Sequence, residues 1–537
     1  RPTDGCVHPG TTSAGSGSPG PFGHTITKRQ VMRTRILAAV LVSTVMAGCT
    51  VGPDYREPLM HTPATFVEAT RENLGKDTTA LAEWWTTFSD ETLTSLVQRA
   101  IANNVDVQIA EARLQEARAS LRYTSAKTQL PTVDLEGKYS RNKISTENPA
   151  IPKLGSGTLI PTSYGYYQPY FDASYELDVF GGVRRQVEAS AAEAQSYEDS
   201  LRNTLVSTVA EVAKDYLQLR QYQEELAVAN TTESSRRDTL KITQVRYTAG
   251  LATDLDVAKA AASLASTQAT IPTLQSNVGQ MMHAIAVLLG QNPGDLTDEL
   301  KARGRNLTAP PAIPVGLPSD LLRRRPDVRQ AERSLAAATA RVGVQVANLF
   351  PSISLTAQYG VQAGNALNLT QAAASFYTLG PQIKWGLLNY PATKANIRTY
   401  EARRDQQYLT YRKTVLTAFQ DVENALVAYH NEHARHASLE EEVKQQEKAA
   451  RIAMTRYTQG LSNFLDVLDT QRSLYTAQDA LVQSRAALAI DLIALYKALG
   501  GGWEHNDLVD QTVQWANLES DSRSTRAPAA RGTSVTN

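Results

Sequence analysis

Cysteine is almost missing: Cys6 and Cys49 are the only two in 537 residues. Once the chain is processed before Cys49, a single thiol remains, so no intramolecular disulfide framework is expected. An excess of one charge is missing too. Lys and Arg number 54 and so do Asp and Glu, and no basic stripe interleaves with aromatics, so nucleic acid is not an expected partner. No run of eighteen uncharged apolar residues occurs after the first fifty positions, which excludes a membrane-spanning helix from the mature chain. The H-E-x-x-H, Walker G-x-x-x-x-G-K-[ST] and C-x-x-C patterns are absent, and the eight His residues form no ligand spacing. No catalytic residue, cofactor site or metal site is expected, and the chain does not read as an enzyme.

What is there begins with an export signal. Residues 1–31 are rich in Gly, Pro, Ser and Thr, start at Arg1 and show no periodicity, and are read as untranslated upstream sequence. Met32 opens a better start: Arg33 and Arg35 precede an apolar run at 36–45 and small residues at Ala47 and Gly48. The ending "VMAGC" resembles a bacterial lipobox, which implies cleavage after residue 48 and a diacylglycerol and an N-palmitoyl group on Cys49. Met46 departs mildly from the Leu usual there. Acyl chains hold a protein at a membrane through about 0.8 kcal/mol per buried CH₂. Thr50, rather than Asp, follows the cysteine, and the resemblance therefore implies the outer membrane. Losing residues 1–48 removes five basic residues and one acid, Asp4, so the remainder is mildly acidic.

The chain repeats itself. "RYTAGLATDLDV" at 246–257 returns as "RYTQGLSNFLDV" at 456–467, 210 positions later; "DVQIAEARL" at 106–114 parallels "DVRQAERSL" at 327–335; "LPTVDLEGKYS" at 130–140 parallels "FPSISLTAQYG" at 350–360. Two tandem copies are expected, over 49–315 and 316–502, followed by a tail at 503–537 whose last residues lack periodicity. Each copy reads helix, strand, strand, long helix, turn, helix. The long helices fall near 184–248 and 392–458, on the order of 95–100 Å at 1.5 Å per residue. After each repeated dodecamer an apolar residue recurs every seventh place, at Val257, Leu264, Ile271, Val278 and Ile285, and at Val467, Leu474, Leu481, Leu488 and Leu495. That period makes antiparallel coiled-coil hairpins.

Four segments alternate apolar and polar residues. In 170–179, Phe171, Ala173, Tyr175, Leu177 and Val179 share one face and Asp172, Ser174, Glu176 and Asp178 the other. Val133, Leu135 and Tyr139 do the same, as do Ile353, Leu355, Ala357, Tyr359 and Val361, and then Tyr377, Leu379, Ile383, Trp385 and Leu387. Each is long enough for the nine to eleven residues of a transmembrane β-strand. Four strands cannot close a barrel, and an open edge in lipid leaves backbone groups costing several kcal/mol each. Eight strands are too few to conduct, so an assembly of at least three copies is expected.

Each dodecamer reads as a helix stop followed by a restart. Gly250 and Gly460 suit the left-handed residue after a helix, Thr253 and Asn463 are N-cap types, and Asp256 and Asp466 follow at the third helical position. Leu251 and Leu461 place apolar groups at an exposed loop tip, which suggests docking.

Together with "GCTVGPDYREP" at 48–58 and "WWTTFSDETLTSL" at 84–96, these features resemble the TolC-like outer-membrane efflux proteins, in the lipoprotein branch of the OprM and NodT type. The resemblance covers about residues 46–503. It implies a mostly α fold with a small β part: a homotrimer whose twelve-stranded barrel continues into a periplasmic α-helical coiled-coil barrel. It implies a passive efflux channel anchored in outer-membrane lipid, docked to a periplasmic adaptor and serving an inner-membrane resistance-nodulation-division (RND) transporter. By motif position, Gly250, Leu251, Thr253, Gly460, Leu461 and Ser462 form the adaptor-docking tip. Leu465 and Asp469, one helical turn apart, form the periplasmic gate. Copy one has Leu255 but Lys259 there, so each subunit offers one gate carboxylate, and a ring of carboxylates makes opening sensitive to pH or cations. A protein-secretion channel of the same fold and a non-conducting periplasm-spanning lipoprotein are the alternatives; the second leaves the four strands unexplained.

Overall fold

The computed structural model describes residues 50–67, 81–143, 145, 153–154, 157–158, 163–302 and 318–504. The upstream stretch, the export signal, Cys49 and most of the C-terminal tail lie outside these residues.

Helix α1 (Glu91–Asn103) is capped by Asp90, whose side chain accepts from the Leu93 amide. Asn104 then ends α1 and starts α2 (Val105–Gln129), accepting from the Asp106 and Val107 amides; one short side chain that satisfies two orphan donors lets the chain bend without a loop. Strands β1 (Thr132–Lys143) and β2 (Ser163–Leu177) lead into α3 (Gly182–Thr248), and a tight turn into α4 (Asp254–Leu288). The second copy repeats the order: α5 (Pro326–Ala347), β3 (Ser352–Val361), β4 (Ser375–Lys384), α6 (Tyr390–Thr458) and α7 (Phe464–Ala498). At 67 and 69 residues, α3 and α6 are each on the order of 100 Å long. Pro326 and Pro391 sit in the first turns of their helices, where a missing N–H costs nothing.

Helix α3 is the hub, packing against α1, α2, α4, α5 and α7. Near its middle, "WWTTF" forms a short 3₁₀ turn that feeds the main core. Trp84 stacks on Tyr496 of α7 at 5.2 Å, and the Tyr216 hydroxyl of α3 donates to Asp90 at 2.8 Å. The heptad stripes face this packing unequally. Val467, Leu488, Leu495 and Ile285 are buried, while Leu474, Leu481 and the rest of the copy-one stripe are half-buried.

These four strands form one antiparallel sheet in the order β1-β2-β3-β4, so the β2–β3 ladder joins the two copies, and Lys153–Leu154 pairs with Gly157–Thr158 as a separate short hairpin. Three boundaries differ from the sequence expectation. Strand β2 starts at Ser163, because the run of tyrosines before Tyr170 extends the β1 ladder although its apolar alternation is broken. Pro169 is tolerated there because the regular β2–β3 ladder ends at Tyr170. Strand β4 stops at Lys384, and Leu387 falls in a 3₁₀ turn that starts α6. Val179 also leaves the strand, since Asp178 turns to accept from the Val183 and Arg184 amides at 3.0 and 2.9 Å.

Candidate functional site

Two features at opposite ends of the long helices carry the chemistry: a two-faced sheet and a duplicated tip. In the sheet, register brings the apolar residues into rows. Val133, Ala173, Ala357 and Leu379 pair across all four strands, as do Leu135, Phe171, Tyr359 and Tyr377. The opposite face carries Asp134 against Asp172, and Gln358 donates to Asp172 at 2.7 Å. The apolar face is exposed, with Leu135, Tyr377, Leu379 and Ile383 among its open side chains. A sheet that shows solvent its apolar face and keeps its carboxylates on the other is built inside out for a water-surrounded protein. Aromatics mark both ends: Tyr139 and Tyr167 at 4.7 Å at one, Phe180 stacked on Phe350 at 4.7 Å near the other, with Trp385 donating to the Leu349 carbonyl. Among the described residues, the outer edges of β1 and β4 have no strand partner.

At the far end of the helices, both turns have the expected form. Gly250 and Gly460 adopt φ of +75° and +76°. In the first turn Leu251 donates to the Arg246 carbonyl at 2.8 Å and Gly250 to that of Tyr247 at 2.9 Å; in the second Leu461 donates to Arg456 at 2.8 Å and Gly460 to Tyr457 at 3.0 Å. These paired bonds make the motif that closes a helix with a left-handed residue. Thr253 and Asp256 form a reciprocal capping box, and Asn463 accepts from the Asp466 amide. Leu251 and Leu461 are 65% and 64% exposed. Ser462 is half-buried, its hydroxyl without a partner among the described residues.

Leu465 and Asp469 occupy one exposed face of α7, one turn beyond the tip. Asp469 accepts from Arg472 at 2.9 Å with both side chains largely exposed, a surface pair of little energetic weight. Sequence inspection missed Arg246. Its guanidinium donates to the Thr458 carbonyl at 3.1 Å and lies over the Tyr457 ring at 4.6 Å, so it caps the last turn of α6 and ties the two tips together. Tyr457 in turn packs on Phe464 at 5.6 Å. The only signal was an Arg at the same place in both dodecamers.

The N-terminal segment docks at the junction of sheet and helices. Val51 donates to the Phe180 carbonyl at 3.1 Å, and Arg185 reaches back to the Val51 carbonyl at 3.4 Å and to Asp54. That guanidinium holds the Asp54 carboxyl below its usual range. Gly52, at φ +88°, comes so near Gly343 that a Cβ would sit 2.6 Å from its Cα. Thr50, the residue after Cys49, lies against Gly181 at the foot of β2.

Along the helical body, burial raises the carboxyl pKa values of Asp199, Asp215, Glu225 and Asp491. Asp199 keeps Arg202 and Arg329 against it at 2.8 and 3.3 Å. No helix among the described residues is long and apolar enough to cross a membrane, and no cluster of His, Cys, Asp and Glu there has the form of a metal site.

Comparison with known proteins agrees with this geometry. The pattern of the outer membrane efflux protein family matches residues 96–291 and 317–501. Nodulation protein T of Rhizobium leguminosarum bv. trifolii is 33% identical over 470 residues, 86% of this chain and 96% of that one. The probable efflux pump outer membrane protein TtgC of Pseudomonas putida is 30% identical over 493 residues, 91% and 99% of the two chains. Among solved structures, the outer-membrane channel OprN superposes with a TM-score of 0.78 at 35% identity, over 85% of this chain and all of that one. The outer membrane protein VceC of Vibrio cholerae superposes at 0.70 with 27% identity, over 79% and 99%. With both copies matched and these relatives spanned almost end to end, the chain belongs to the outer membrane efflux protein family.

Proposed function

We propose that the protein is the outer-membrane channel of a tripartite efflux pump, a passive conduit for small molecules built from three copies of the chain. The observation that carries this is the sheet: four strands in register with an exposed apolar face, a carboxylate-bearing face and two open edges. Three copies of four strands make a barrel of twelve, wide enough to hold water, with the polar face inward. Relatives described as exporting toluene and pyoverdine favour small-molecule cargo over secreted protein. The carboxylate-bearing inner face also argues against a non-conducting tether.

In this reading the exposed Leu251 and Leu461 are the apolar groups that meet a periplasmic adaptor, which links the channel to an inner-membrane RND transporter. Gly250, Gly460, Thr253 and Ser462 shape that tip. Leu465 and Asp469 face the axis and close the periplasmic mouth. Cys49 carries the lipid; Thr50, which lies beside Gly181 at the sheet–helix junction, supports this.

Planar-bilayer conductance of the purified protein tests the assignment. Wild type is expected to sit mostly closed with rare openings, and Asp469→Ala to raise the closed-state leak severalfold. An unchanged leak in the variant rejects the gate, and the absence of any channel event in both proteins rejects the channel.

A further inference from the structure

Helices α3, α5, α6 and α7 border a recess of about 460 Å³ beside the main core. One wall is apolar, made by Val206, Pro326, Ala425 and Ala428. The other carries charge that does not balance. Arg325, almost fully buried, is shared by Asp327 at 2.7 Å and Asp421 at 3.0 Å, so its guanidinium already faces two carboxylates. Asp491 adds a third. It is half-buried and, among the described residues, forms no hydrogen bond or ion pair. Lys497 also lines the recess, but it stands nearly two turns farther along the same helix, about 9 Å by rise. Burial, and then the nearby Glu432 carboxylate, raise the Asp491 pKa, as expected of an anion without a cation beside it.

Packing does not call for these charges. Helices α4 and α7 correspond at an offset of 210, which sets Val278 on Leu488 and Ile285 on Leu495, apolar in both copies. At the same offset the first copy has Met281 for Asp491 and Val287 for Lys497. Only the second copy charges this face. The recess also has a definite side. Steps of seven residues share a face in a left-handed coiled coil, and from Asp469 they reach Thr476, Gln483, Ile490 and Lys497, all but Ile490 exposed. Exposed Ala494 lies beside that stripe. The channel reading turns the stripe to the lumen, so the recess opens into the tunnel with Ala494 and Lys497 at its mouth.

We propose that this recess binds a small organic cation with an apolar body, its ammonium against Asp491 and its hydrocarbon on the Val206–Pro326–Ala425 wall. This takes the lumen side of α7 from the channel reading and adds a place where cargo of that class pauses in the tunnel. The volume is within the range of small-molecule sites, about 300–1,000 Å³. An ammonium supplies the countercharge that the wall lacks, and Asn203 and Asn424, also in the lining, can accept its remaining hydrogens. A metal ion is the poorer fit, because no cluster of His, Cys, Asp and Glu among the described residues has the form of a metal site.

Calorimetric titration of the full-length protein in detergent, with benzylamine as the probe, tests this. Saturable binding of one amine per chain is expected, weakened about tenfold or more in Asp491→Asn. Ala494→Trp, which fills the mouth and keeps the carboxylate, is expected to weaken binding as much, and it decides the matter if Asp491→Asn does not fold. Benzyl alcohol, similar in shape but uncharged, and benzoate, of opposite charge, are expected not to bind. No saturation with benzylamine, unchanged affinity in either folded variant, or equally tight binding of benzyl alcohol or benzoate overturns the site. Bilayer conductance of the same wild-type preparation without amine reads the channel separately: silence there rejects the channel, and the tunnel placement of the recess with it, even where the amine binds.

Discussion

In the proposed reading membrane attachment turns on Cys49, and what supports it is the placement of the residues that follow. The strap after it is pinned by the Val51–Phe180 bond and by Arg185, and Gly52 is squeezed against Gly343, so Thr50 has little freedom to leave the foot of the sheet. Cys49→Ser is expected to abolish labelling by palmitate fed to cells, while the protein still folds through its buried Trp84–Tyr496 core. Retained label in the variant would contradict the anchor. At this scale the sequence was legible where one residue type meets one backbone need: Gly250 and Gly460 at positive φ, and Thr253 and Asn463 as caps. It was illegible for Arg246, whose partner lies 212 positions away and leaves no local trace.

Strands and helices differ in how plainly they were written. Alternation located the four strands of the main sheet, because a sheet with lipid on one side and water on the other needs a period of two on every strand. It missed the start of β2, where Tyr164, Tyr166, Tyr167 and Pro169 break the alternation while the ladder to β1 runs on. The long helices were legible from length and from the turns that end them. Their heptads foretold which sides pack, yet could not show that copy one buries its stripe less deeply than copy two. The two faces of the sheet yield a paired expectation. Ala357→Arg, in the apolar row with Ala173 and Leu379, should cost about 2–4 kcal/mol near the bilayer midplane. Thr356→Arg, one residue along and facing the other way, should cost little. The fraction of heat-modifiable, folded protein on mild-detergent gels reads both; equal losses would mean that the faces are assigned wrongly.

At the scale of the whole molecule, a single chain leaves its structure unfinished. Its sheet has two edges without strand partners among the described residues, and lipid offers no water to satisfy them. Four alternating strands and the width of a conducting barrel bounded the assembly at three or more copies; the number three came with the family resemblance, because strand counts fix a minimum width and not a stoichiometry. The proposed adaptor and transporter rest on that resemblance alone, since selectivity for partners lies in tip contacts that one chain does not display. The most direct test is the mass of the assembly released intact from detergent by native mass spectrometry. Three chain masses, with attached acyl groups, are the expected result. A single chain mass, in protein that is folded and extracted from the outer membrane, would contradict the account.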